Sequence, residues 1–147
     1  MTDQWPLRIT LPGEPIGKGR PRVRVVAVAG KRPVPTLYSP KATKDYEAAL
    51  RQVAALAMRG RAVISGPVCI VIRAYMGIPQ SWSDRKKDQA RWGMVFPTGK
   101  PDWENIAKGC CDSLNKIVYN DDAQIVMATV RKIYDDNPRL EIGVSPV

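Results

Sequence analysis

The 147-residue chain contains no histidine. That absence removes the commonest zinc ligand, the side chain best matched to general-base work near neutral pH, and every Ser-His or Cys-His nucleophile pair. Cysteine is scarce, with three in all. Cys110 and Cys111 are adjacent, a spacing that suits neither chelation of one metal nor an unstrained bond to each other, so reduced thiols in a core are expected. No apolar run approaches the roughly 20 residues of a membrane helix, and the opening MTDQWPLRITLPGEP lacks the charged-then-apolar layout of a signal peptide. The expected location is cytoplasmic, with no membrane partner. If the chain is an enzyme, its chemistry falls to carboxylates and a hard cation.

Those carboxylates are unevenly placed. Before residue 102 stand 18 of the 23 Lys and Arg residues but only 6 of the 14 Asp and Glu, and from Asp102 onward acids outnumber bases. The net charge of +9 and pI near 9.7 call for an acidic partner. Nucleic acid, an anionic membrane or an acidic protein would each satisfy charge alone, but no segment reads as a basic amphipathic membrane anchor. Nucleic acid is therefore favoured, with cations holding phosphates and the acidic stretch Lys100 to Val126 holding Mg²⁺, or Mn²⁺ in its place.

Size and a hydrophobic content of 44% suit one domain over residues 1–147. WPLRITL reads as a first strand. GKGRPRVRVVAVAGKRPVPTLYSP reads as a hairpin turning at Ala29-Gly30, with Arg22 and Arg24 alternating with Val23 and Val25. Ser39 as N-cap and Pro40 in the first turn predict a helix over 40–59. Pro67 to Met76 reads as an interior strand, and a short basic helix capped by Ser83 carries Arg85, Lys86, Lys87 and Arg91. A helix over 104–116, a strand from Gln124 to Tyr134, a DDNP turn and a strand from Arg139 to Val144 complete the order β, β-hairpin, α, β, α, α, β, β. The expected fold class is α+β, with a mixed sheet covered by helices.

Pro101 predicts an extended or capping Asp102. In an extended run Asp102 and Glu104 present their carboxylates to one point, whereas inside a helix they lie about 200° apart. Ile106, Cys110, Leu114 and Ile117 form a buried stripe, and Glu104, Lys108 and Asp112 form another. Lys108 either neutralises charge on a phosphate or makes a surface ion pair with Glu104. Asp112 either orients Lys108 or is an exposed helix residue. Asp121 and Asp122 suit turn chemistry on their own, but beside DWEN they complete an oxygen donor set for one or two Mg²⁺.

The run KPDWENIAK…CDSLNKIVYNDDAQI resembles the RusA-type endodeoxyribonucleases, the Holliday junction resolvases of bacteria and their prophages. GKGRPRVR, LYSPKATKDYE, GPVCIVI and IPQSWSDRKK extend the resemblance over nearly the whole chain. It implies that Asp102, Glu104 and Asp122 bind metal with Asp121 beside them, that Lys108 is the essential lysine, and that Asn105 is the asparagine after the second acid. The family usually has Asp where Glu104 stands, so the carboxylate reaches one methylene further. A Mg²⁺-dependent homodimer that nicks opposed strands of a four-way DNA junction is implied, with nucleases of other branched DNA (flaps, forks) and a DNA-binding protein without turnover as alternatives. Lys18, Arg20, Arg22 and Arg24 in one segment, and Arg85, Lys86 and Lys87 in another, are the expected phosphate contacts. Trp82, Trp92 and Trp103 could stack on unpaired bases, although buried packing is the expectation for most of them.

Overall fold

A computed structural model describes residues 5–19, 22–38 and 40–147. Strand β1 (Leu7–Pro12) alternates buried Leu7, Ile9 and Leu11 with exposed neighbours, so one face of it enters the core. It pairs antiparallel with β6 (Arg139–Pro146), which places Leu140, Ile142 and Val144 on the same face. Strand β4 (Val68–Gly77) lies between β6 and β5 (Ile125–Asp135), antiparallel to the former and parallel to the latter. The sheet order is β1-β6-β4-β5, a mixed sheet as expected, with β4 as an interior strand.

Helix α1 (Lys41–Ala57) contributes Leu50 and Ala54 to the core, and α3 (Trp103–Leu114) contributes Ile106, Cys110 and Leu114. They share one cluster with the inward residues of β1, β4 and β6, giving a single α+β domain. The cap of α1 is Pro40, so the helix starts one residue later than expected, and the predicted cap Ser39 lies outside the described residues. Helix α2 (Asp84–Arg91) begins as predicted, with the Ser83 hydroxyl accepting the Lys86 N–H. Arg91 bonds both Asp88 and Asp136, which ties α2 to the β5–β6 turn.

Strands β2 (Arg22–Val26) and β3 (Val34–Tyr38) form a separate antiparallel pair, closed by a turn in which the Lys31 N–H reaches the Val28 carbonyl. Val23 and Val25 face the side opposite to Arg22 and Arg24, and Val23, Val25 and Leu37 are all exposed. Cys110 is a buried thiol, and Cys69 and Cys111 are half-buried free thiols, in line with the expectation. Burial pushes Cys111 up to about 11 and Cys110 further, so neither is a thiolate near neutral pH. Among the described residues no helix is long and apolar enough to cross a membrane.

Candidate active site

Asp102 is the N-cap of α3, extended at φ −75° and ψ 162°, and its Oδ1 accepts the Asn105 N–H at 2.9 Å. Lys100 Nζ reaches its other oxygen at 3.2 Å. The cap hydrogen bond first, and Lys100 second, hold this carboxyl below its ordinary value. Because the cap fixes Trp103 as the first helical residue, Glu104 already lies in the first turn. The extended Asp102–Glu104 pair expected from the sequence is therefore not formed. Glu104 is exposed and makes no ion pair among the described residues.

Ten residues further along α3, a rise of about 15 Å from Asp102, Asp112 forms a second centre. Its Oδ2 accepts Lys18 Nζ at 2.7 Å, and Lys108 Nζ lies 3.4 Å away. Burial alone would raise this carboxyl, but Lys18, and then Lys108, hold it below its ordinary value. Lys108 thus pairs with Asp112 rather than with Glu104, and Asp112 is partly buried rather than an exposed helix residue.

Beyond the helix, Asp122 opens a 3-10 turn, Asp122–Gln124, that leads into β5. Gln124, predicted to begin the strand, braces the turn instead. Its Oε1 accepts the N–H groups of Asn120 and Asp121, each at 2.9 Å, and its Nε2 donates to the carbonyls of Ile64 and Gly66. From below, buried Tyr119 donates its hydroxyl to the Cys111 carbonyl at 2.8 Å. Neither brace is among the residues singled out from the sequence, although a glutamine three residues after an aspartate at the head of a turn is a recognisable capping signal. Gln124→Ala leaves two N–H groups and two carbonyls without this partner. It is expected to cost about 1–3 kcal/mol, readable as a lower denaturation midpoint, with Asp121 and Asp122 displaced.

Asp122 is raised from its ordinary value by burial, then by Asp121 and by Asp112. Like charges pressed together in this way are what a divalent cation relieves, and the all-oxygen donor set suits Mg²⁺. Among the described residues, however, no group of three or more acids or thiols is gathered tightly enough to grip one ion. The structure thus brings together Lys18, Lys108, Asp112, Asp121 and Asp122, and leaves Asp102 and Glu104 at the other end of α3.

Of the expected DNA contacts, Arg22 and Arg24 lie on the β2–β3 arm, and Arg85, Lys86 and Lys87 on α2. Lys86 Nζ sits 3.9 Å above the Trp82 ring. Arg20 lies outside the described residues. The expectation of buried tryptophans fails for two of the three: Trp92 is 71% exposed, and Trp103, beside Asp102, is 63% exposed. Trp82 is half-buried against Tyr134.

The chain is 36% identical over 145 residues to the uncharacterized protein YqaN of Bacillus subtilis (strain 168), an alignment covering 96% of each chain. It is 36% identical over 62 residues to the crossover junction endodeoxyribonuclease rusA of Lactococcus phage r1t, covering 42% of this chain and 47% of that one. The family model for endodeoxyribonuclease RusA matches residues 12–145, a span that takes in the arm, all three helices and both acidic centres. The chain belongs to the RusA endodeoxyribonuclease family.

Proposed function

We propose that this protein is a Mg²⁺-dependent homodimeric endonuclease that resolves four-way DNA junctions by paired nicks in opposed strands. The observation that carries the reading is the grouping of exposed Lys108 with Asp112, Asp121 and Asp122, in a basic chain of an endodeoxyribonuclease family. Asp121 and Asp122, beside Lys108, are the residues that would hold the ion. When bound, it supplies Lewis-acid stabilisation of charge building on the phosphoryl oxygens.

The chain's own side chains supply the remaining functions. Lys108, its side chain 62% exposed and its ammonium leaning on Asp112, offers a cation to a phosphate. Asp102 uses one oxygen to cap the helix, which fixes the start of α3, and Lys100 pairs with the other. Exposed Trp103 beside it offers a ring to a base no longer stacked in duplex. Arg22, Arg24, Arg85, Lys86 and Lys87 track the backbone without reading sequence. Two opposed cuts across a symmetric junction call for two copies of the chain related by a two-fold axis.

The deciding experiment compares Mg²⁺-dependent nicking of a synthetic four-way junction with that of duplex, flap and fork substrates. Preferred cutting of flaps or forks would reassign the substrate, and binding without cutting would remove turnover. The arm has its own test. Arg22→Ala combined with Arg24→Ala is expected to weaken junction binding and flatten its log–log salt dependence by up to about 0.9 for each phosphate no longer neutralised, with nicking at saturating protein little changed. An unchanged slope would assign the arm to folding or dimer contacts.

A further inference from the structure

Lys18 is among the expected DNA contacts, but its surroundings point elsewhere. Its ammonium lies between two carboxylates, 2.7 Å from Asp112 and 3.5 Å from Glu47, and its side chain is only 28% exposed. The Glu47 oxygen facing it is buried without a hydrogen bond of its own. The backbone is fixed as firmly, since the Lys18 N–H donates to the Asn105 carbonyl at 3.0 Å. A Cβ added to Gly17 would meet Pro101 Cβ at 2.7 Å and Asn105 Cβ at 3.0 Å, so the segment lies directly on α3.

A lysine whose charge is engaged by two acids, on a backbone docked against a helix, has little left for a phosphate. What it does hold is Asp112, the carboxylate against which Lys108 leans. Without Lys18, Asp112 has only Lys108 for a counter-ion among the described residues and draws that ammonium inward, away from solvent.

We propose that Lys18 is a positioning residue: by engaging Asp112 it leaves Lys108 extended toward the phosphate, and it does not itself bind DNA. This rests on the reading of Lys108 given above. Lys18→Met is expected to lower the nicking rate at saturating protein about 10- to 100-fold, as small misplacements of a reacting group do, while the salt slope of junction binding stays at the wild-type value. A phosphate contact would instead flatten that slope by about 0.9. Lys18→Arg, which can still bridge two carboxylates, should recover most of the rate. Asp112→Asn removes the charge that would draw Lys108 inward, so adding it to Lys18→Met should restore most of the rate, a recovery that a misfolded Lys18→Met would not show.

Additive effects of the two substitutions, or a flattened slope with an unchanged rate, would overturn the proposal. If the wild-type protein cuts no DNA, the functional reading falls, but the positioning claim can still be tested. In protein carrying ¹³C-dimethylated lysines, the Lys108 resonance, assigned through Lys108→Arg, should move in Asp112→Asn and in Lys18→Met. An unmoved resonance would overturn the proposal independently of any nicking assay.

Discussion

Asp122→Asn is expected to abolish nicking while junction binding survives. The amide keeps the shape of the side chain but loses the charge that attracts the cation. A fall of at least about 10³-fold matches the loss of several kcal/mol of charge stabilisation. Asp121→Asn should do less damage, and the reverse order would exchange the roles of the two acids.

The same variant has a signature in thermal melts. Asp122 is raised by burial and by its acidic neighbours, so the ion-free folded protein binds more protons than the unfolded chain just above the ordinary carboxylate range. The contribution of this group is fully present below the unfolded value and is lost as pH rises through the folded one. Ion-free Asp122→Asn should therefore melt higher than the wild type at neutral pH. It should also gain little from Mg²⁺, whereas the wild type gains about 2.7 kcal/mol at 100 times Kd. Asp102 has the opposite sign: it is held low by the helix cap and Lys100, so its contribution is present above the ordinary carboxylate value and lost as pH falls through the depressed one. Asn also caps helices well, so Asp102→Asn should show no rise in the ion-free melt.

Lys108→Met is expected to cut the single-turnover nicking rate by about 10²- to 10³-fold, the size typical of removing one preorganised charge-stabilising donor. Its melt should still rise with Mg²⁺, because no acid has been removed. That separates it from Asp122→Asn, in which nicking and the Mg²⁺ response disappear together. Nicking by Lys108→Met at the wild-type rate would leave Lys108 as a surface ion pair with Asp112.

Local signals make much of this site readable in the sequence. Pro101 followed by Asp102 marks the start of α3, and Ser83 marks that of α2, because capping depends on residues only three apart. The buried stripe Ile106, Cys110 and Leu114 follows from helical spacing. What escapes is set by distant parts of the chain. Nothing near Lys18 in sequence shows that its ammonium meets Asp112, and nothing near Gln124 shows that its amide spans to Ile64 and Gly66. Helix α3 ends at Leu114, short of the predicted residue 116, because Asn115 leaves helical geometry at ψ 133° and Lys116 turns to a positive φ of 68°. Neither residue carries the glycine signal that usually announces such a turn.

The strand order β1-β6-β4-β5 sets when this protein can fold during its synthesis. Strand β1 is made before every other described element, yet its sheet partner among the described residues is β6, which in chain order follows them all. On the ribosome Leu7, Ile9 and Leu11 emerge before the strand they pair with, and the pairing of Leu7 with Val144 must wait until β6 has left the tunnel. During that interval an apolar strand edge is open to other chains. Closure of the sheet thus waits on the synthesis of β6 however fast any single helix forms, and until then nascent chains are exposed to one another.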